Sequence, residues 1–306
     1  MMSRSLLFLA SFLVMTLGAN AQIEGNEQRE SRLLDLPEFT ELEVHIAANM
    51  IIDCQSDRRL EITTDANLFE YLEIENKGNR LILRQKTEIA PSRGIQISLG
   101  APELAFLQTS AAAMIQINGI DQEEFKLVNP AATVLLEGKA EELRLAIESG
   151  QVEASRLQAD RAVVDIWSTG IATINASEKL SGNISNGGKL IYHGQPEIVD
   201  NQTSEGGIML AVQHPQRDED KGARFASDGP VQVTIVNKTG EFLQTYVKGP
   251  GLKPFSYGLP FQAGITREEN WPVGTKVYLV NKVGMRSLLF EIKPTDANGE
   301  IILAGG

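Results

Sequence analysis

Cysteine is nearly absent. The 306-residue chain has one, Cys54, so it can close no internal disulfide and build no cysteine zinc cage. Cys54 ends the strand-like stretch Met50-Ile51-Ile52-Asp53-Cys54 and is expected to act as a small buried hydrophobe. Histidine is scarce too, at 45, 193 and 214 only, too few and too scattered for a histidine-rich metal site. Positive charge is in deficit: 28 Lys+Arg face 40 Asp+Glu, a formal net charge of −12. That balance makes a poor ligand for phosphate backbones, so no nucleic-acid partner is expected. The common catalytic signatures are missing: no Gly-x-Ser-x-Gly, no His-Glu-x-x-His, no phosphate-cradling Gly-x4-Gly-Lys-Ser/Thr. Lys238-Thr239-Gly240 follows a strand, as in penicillin-recognising serine enzymes, but the Ser-x-x-Lys they also need is absent.

Long apolar runs are confined to the start. Arg4 precedes an almost unbroken apolar run from Leu6 to Leu17, and Ala19-x-Ala21 supplies a small-x-small cleavage site. This is the pattern of a secretory signal peptide over residues 1–21. The run is too short for the roughly 20 residues a spanning helix needs. No cysteine directly follows it to carry a lipid, and no later run is long enough to span a membrane. A secreted or periplasmic, envelope-associated protein is expected.

Strands dominate the rest of the chain. Leu42, Val44 and Ile46 alternate with Glu41, Glu43 and His45, and Ile95, Ile97 and Leu99 alternate with Gln96 and Ser98. One short turn is expected within residues 67–73. From Pro102 a unit recurs: an apolar strand, a turn of small residues, a second apolar strand, then a bend. Anchors align at Leu107, Val128, Ile147, Ile166 and Ile184, spaced 21, 19, 19 and 18 residues apart. The second strands align at Ile115/Ile117, Val134/Leu136, Val152/Ala154, Ala172/Ile174 and Leu190/Tyr192. A unit of about 20 residues cannot bury its apolar face alone, and stacked units can. Ile46 to Ile52 fits an early unit, and Gly206-Gly207-Ile208 a last one. The expected fold is all-β: a right-handed parallel β-solenoid with a small antiparallel β-sandwich after it. An antiparallel meander with hairpins at the same spacing is the alternative.

The order of Phe39-Thr40-Glu41-Leu42-Glu43-Val44, then Pro102-Glu103-Leu104, then strands with Ser/Gly-rich turns, then Gly187-Gly188-Lys189-Leu190-Ile191-Tyr192-His193-Gly194-Gln195-Pro196 resembles the auto-transporter adhesin head GIN domain family. The resemblance covers about residues 38–212. Only degenerate forms of the family's Ser-Gly repeat stand here: Ser149-Gly150, Ser168-Thr169-Gly170 and Ser185-Asn186-Gly187-Gly188. It implies a secreted or envelope-associated β-solenoid with an adhesive role, and it brings no catalytic residue with it.

The expected organisation is a signal peptide (1–21), an amino-terminal segment (22–37), the repeat domain (38–212), a polar linker (213–229) in which His214 is solvated, and a β-sandwich (230–306). In the last, Val231, Val233 and Ile235 begin a strand, residues 237–240 turn, residues 242–247 pair back, and Asn298-Gly299 makes a tight hairpin turn. Two residues on the repeat surface are candidate binding contacts. Trp167 and Glu148 each come directly after an anchor, so both should point outward, where an indole can stack on a sugar or a partner. Glu148, Glu153 and Asp165 would be the carboxylates of a β-helical glycan-active enzyme, the alternative function. A periplasmic accessory protein without a ligand is a third. No catalytic, cofactor-binding or metal-ligating residues are assigned and no cofactor is expected. The partners expected are a cell-surface glycan or an envelope protein.

Overall fold

The computed structural model describes residues 22–214, 230–251, 254–281, 284 and 286–305. The signal segment and residues 215–229 of the expected linker lie outside the described residues. Their regular elements are strands apart from two short 3-10 turns, Ala66–Tyr71 and Pro294–Asp296.

The repeat forms eight layers, each contributing to two ladders. The first ladder runs through Arg80–Gln85, Glu41–His45, Phe106–Thr109, the later halves of Met114–Asn129, Thr133–Ile147, Gln151–Ile166 and Ile171–Ile184, and Ile198–Thr203, all parallel. The second runs through Gln96–Gly100, Asn49–Asp53, the opening halves of the same four long strands, Lys189–His193 and Ile208–Gln213, also parallel. Each long strand passes from one ladder to the other across a break in register, as at Ile117/Ile120. The early unit at residues 46–52 and the closing unit at 206–208 both lie within layers. The layer of residues 80–100 stacks outside that of 41–53, so spatial order departs from chain order.

The sheet as a whole is mixed, which corrects the expectation of a purely parallel one. Arg29–Asp35 with Arg59–Asp65, Arg59–Asp65 with Gln96–Gly100, and Leu72–Lys77 with Arg80–Gln85 are antiparallel. The last pair is joined by a turn of two residues in which Gly78 has φ +68°. So short a link can only reverse the chain.

The second strands register as the sequence alignment places them: Ile115 beside Val134, Val152, Ala172 and Leu190 in succession. The anchor column does not. Ile147, Ile166 and Ile184 share a buried column. In the layer before, however, the partner of Ile147 is Asn129, not Val128. Leu107 pairs with Leu127 one column away. Asn129 is fully buried and satisfied: its Oδ1 accepts from Thr109 Oγ1 (3.0 Å) and Ala132 N (2.8 Å), and its Nδ2 donates to Ala132 O (2.9 Å). A polar side chain that bonds its own turn can occupy an apolar column.

Small residues occupy one buried slot in successive turns. The register places Ala48, Ala113, Ala132, Gly150, Gly170, Gly188 and Gly207 immediately before the second strand in seven of the eight layers; in the layer of residues 80–100 the slot holds Ile95. A Cβ at Gly170 would lie 2.6 Å from Ile147 Cγ2 and 2.9 Å from Glu148 O. Close approach, not the positive φ that a sharp bend suggests, therefore selects glycine there; positive φ is confined to neighbours such as Gly187 (φ +80°).

The carboxy-terminal strands are not a separate antiparallel hairpin set. Gly299–Gly305 pairs antiparallel with Ile208–Gln213 and parallel with Pro230–Lys238, so the large sheet continues through them. Residues 242–247 do not pair back on 231–235. Leu243–Lys248 joins Ser256–Phe261, Lys276–Val280 and Arg286–Glu291 in a four-stranded antiparallel sheet instead. Asn298-Gly299 likewise makes no hairpin, since the strand it opens has its partners elsewhere. The small sheet covers the outer face of the last layers, with Ile171, Ile191, Leu210 and Val212 in one core with Val277, Leu289 and Phe290. Those layers are apolar on both faces, as in the runs Leu190-Ile191-Tyr192 and Met209-Leu210-Ala211-Val212, because both faces are covered. Burying each large aliphatic side chain contributes roughly 1.5–3 kcal/mol.

Candidate functional site

Where the small sheet stops, the outer face of the second ladder opens into a groove of about 800 Å³. One wall is built by the repeat. Ile117, Leu136, Ala154, Ile174 and Tyr192 are the last inward residues of the second strand in five successive layers. The residue after each turns outward, and these five side chains, Asn118, Glu137, Ser155, Asn175 and His193, all line the groove. Asn175 and His193 are paired one strand spacing apart, about 4.8 Å; between the other layers the register breaks here, and Glu137 pairs with Arg156 and Asn175 with Gln158. The opposite wall is Lys276, Leu288, Phe290, Glu291 and Lys293. A second depression of about 550 Å³, bordered by Ile51, Met114 and Leu135, shares Gln116 and Leu135 with the groove.

Side chains of the repeat hold the strand Arg286–Glu291 against this face. Thr173 Oγ1 donates to Leu288 O (3.1 Å), and Gln151 Nε2 donates to Arg286 O (2.6 Å). Glu153 accepts from the backbone N–H of Ser155 and of Leu288, and burial raises its carboxyl above the usual range. Glu153 thus joins the two parts of the molecule. Neighbouring charges are largely paired: Arg156 with Glu137 (3.5 Å) and Lys276 with Glu291 (3.5 Å).

At the inner end His193 and His214 stack with ring centroids 6.4 Å apart. His214 Nδ1 lies 3.1 Å from Oδ1 of the buried Asp296, whose Oδ2 accepts from Lys293 N (2.7 Å). His214 is therefore a structural contact, not the solvated linker residue that its neighbour Pro215 suggests. Burial, with the charges of His214 and Lys293, pushes His193 down to about 4. Its Nε2 is buried and has no hydrogen-bond partner among the described residues.

Trp167 and Glu148 are exposed, as their place after an anchor implies, and Trp167 is 44% accessible. They lie at successive turns on the edge of the stack: Trp167 N donates to Ile147 O (3.2 Å), and Glu148 O accepts from Gly170 N (2.9 Å). Neither lines the groove. The three carboxylates considered for glycan cleavage do not come together. Asp165 sits on the first ladder beside Ala146, Glu153 on the second beside Leu135, and Glu148 in the turn between. Among the described residues no group of three or more His, Cys, Asp or Glu could hold a metal ion, and no helix is long and apolar enough to cross a membrane. Cys54 is buried, which, with the nearby Asp53 charge, pushes its thiol up to about 12. That is an inert thiol.

A family model described as "Putative auto-transporter adhesin, head GIN domain" matches residues 38–196. No curated protein matches the chain. Among solved structures, a putative adhesin from Bacteroides fragilis is 19% identical with a TM-score of 0.50, over 61% of this chain and 98% of its own. A putative lipid binding protein from Parabacteroides distasonis is 21% identical with a TM-score of 0.47, over 63% of this chain and 100% of its own. A putative adhesin from Parabacteroides merdae is 16% identical with a TM-score of 0.41, over 63% of this chain and 99% of its own. At such identities the Bacteroides fragilis likeness is one of fold.

Proposed function

The chain belongs to the auto-transporter adhesin head GIN domain family, and on that premise we propose that it is a non-catalytic binding protein of the adhesin type, working outside the cytoplasm, that takes an extended glycan in the groove. The observation carrying this reading is the ladder Asn118, Glu137, Ser155, Asn175 and His193. It offers donors and acceptors in succession along the groove, one residue from each of five layers, as an extended sugar chain offers hydroxyls. A polyhydroxylated ligand needs both kinds of group, and an open, wet groove suits it. The repeat that presents the ladder is read as a right-handed β-solenoid over residues 38–212, the hand set by the crossover rule, with residues 230–306 docked on it.

The carboxylates argue for binding over cleavage. Glu137 and Glu291 face basic partners, and Glu153 is engaged by two backbone amides. A glycosidase pair would need one of them free as a general acid or base. The family and the signal-peptide pattern together support export.

The test is a glycan array probed with residues 22–306, then calorimetry on the hits. Asn175→Ala and Ser155→Trp should each weaken a hit by about tenfold or more, about 1.4 kcal/mol. Trp167→Ala, away from the groove, should leave it unchanged. Retention by both groove variants, with loss in Trp167→Ala, would move the site to the turn edge.

A further inference from the structure

We propose that the inner end of the groove, where His193, His214 and Lys293 meet, is a seat for the carboxylate of an acidic sugar. This rests on the glycan reading of the groove and specifies the ligand's charge.

Three observations converge. His193 ends the ladder, where the terminal ring of an extended glycan would lie. Its buried Nε2 has no partner among the described residues, and a buried polar atom left so is costly unless something else bonds it. Among the described residues the charges that act on it are positive: Lys293, exposed at the rim, and the half-buried His214. The acidic groups nearby are spoken for: Asp296 is held by His214 and Lys293 N, Glu291 faces Lys276, and Glu137 faces Arg156. A neutral imidazole with Nε2 protonated can donate to one carboxylate oxygen, and the Lys293 ammonium can approach the other. Such charge-assisted bonds are about twice as strong as neutral ones. A neutral sugar hydroxyl would gain the imidazole bond only. The net negative charge of the chain opposes a polyanion but not one carboxylate placed at this corner.

The experiment uses a neutral oligosaccharide that ends in a single uronic acid, and its carboxyl-reduced counterpart, as probes, with calorimetry on residues 22–306. The uronate-ended probe should bind about tenfold tighter or more. Lys293→Met, at an exposed position, should remove most of that preference and weaken the neutral probe far less. His193→Gln, which keeps a donor, should retain more of it than His193→Leu. Ring proton shifts should show the imidazole of His193 titrating at higher pH with the uronate-ended probe bound than without it, a change that a purely structural histidine would not show. Equal affinity for the two probes, or equal weakening of both in Lys293→Met, would overturn the seat and leave the glycan reading standing. Failure of both probes to bind at millimolar concentration would sink the seat, and the glycan reading with it for this class of sugar.

Discussion

Ile166 and Asp165 are neighbours in sequence and opposites in environment. Ile166 is 1% accessible in the column between Ile147 and Ile184, whereas Asp165 faces solvent. Ile166→Asp would place a carboxylate among aliphatic side chains with no cation within the column, at a cost of several kcal/mol. Asp165→Ala should cost under about 0.5 kcal/mol. Thermal melts of the two variants check the register, and a reversed order would mean it is off by one. Asn129 shows why sequence alone misplaces that column one layer earlier. Period-2 alternation marks which residues point inward but not which inward residues share a column, and a buried asparagine that bonds Thr109 and Ala132 carries no apolar signal. The adjacent Val128 has the apolar, β-branched character of an anchor, yet its partner Ala146 points outward.

At the scale of the strand and its turn, two kinds of glycine stand one residue apart for different reasons. Gly187 has φ +80° with open space where a side chain would go, and the adjacent Asn186 already adopts φ +51°. Gly188, like Gly170, leaves no room: a Cβ would lie 2.6 Å from Ile166 Cγ2 and 2.7 Å from Ser168 O. Gly187→Asn should therefore cost less than about 1 kcal/mol, because asparagine tolerates the left-handed region. Gly188→Val should cost about 1–3 kcal/mol through overpacking. Chemical denaturation distinguishes them; equal costs would mean that turn conformation, not interlayer contact, governs the slot. The recurrence of small residues is legible in the sequence, as is the second-strand register. The alanines at 48, 113 and 132 are harder to read as members of the same slot, because alanine is no turn signal. The layer of residues 80–100 escapes such reading too, since it stacks out of chain order and periodicity says nothing about which layers touch.

At the scale of the molecule, the groove exists because residues from the repeat and from beyond residue 275 meet across it. Local patterns could not reveal it, although the doubly apolar runs at 190–192 and 209–212 do signal that something covers those layers. The junction is also where the fold should be sensitive to acid. His193 carries a proton at about 4 in the folded chain against an ordinary 6.5, chiefly through burial and secondarily through the charges of His214 and Lys293. Its neutral form is the one the fold favours, so between those two values the unfolded chain binds more protons. Stability from this group is complete above about pH 6.5, falls as pH drops through that window, and is exhausted below about 4. The loss is on the order of 3 kcal/mol. Glu153, raised by burial, contributes with the opposite sign: protonation there favours the folded state and partly offsets the loss at the acid end. Denaturant unfolding at pH 7.5, 6, 5 and 4 should show the midpoint falling most steeply between pH 6.5 and 4.5. His193→Gln should flatten that segment while leaving acid unfolding below pH 4, where exposed carboxylates lose their ion pairs, in place. A parent chain with a flat profile from pH 7 to 5 would mean that the surroundings of the imidazole do not favour its neutral form.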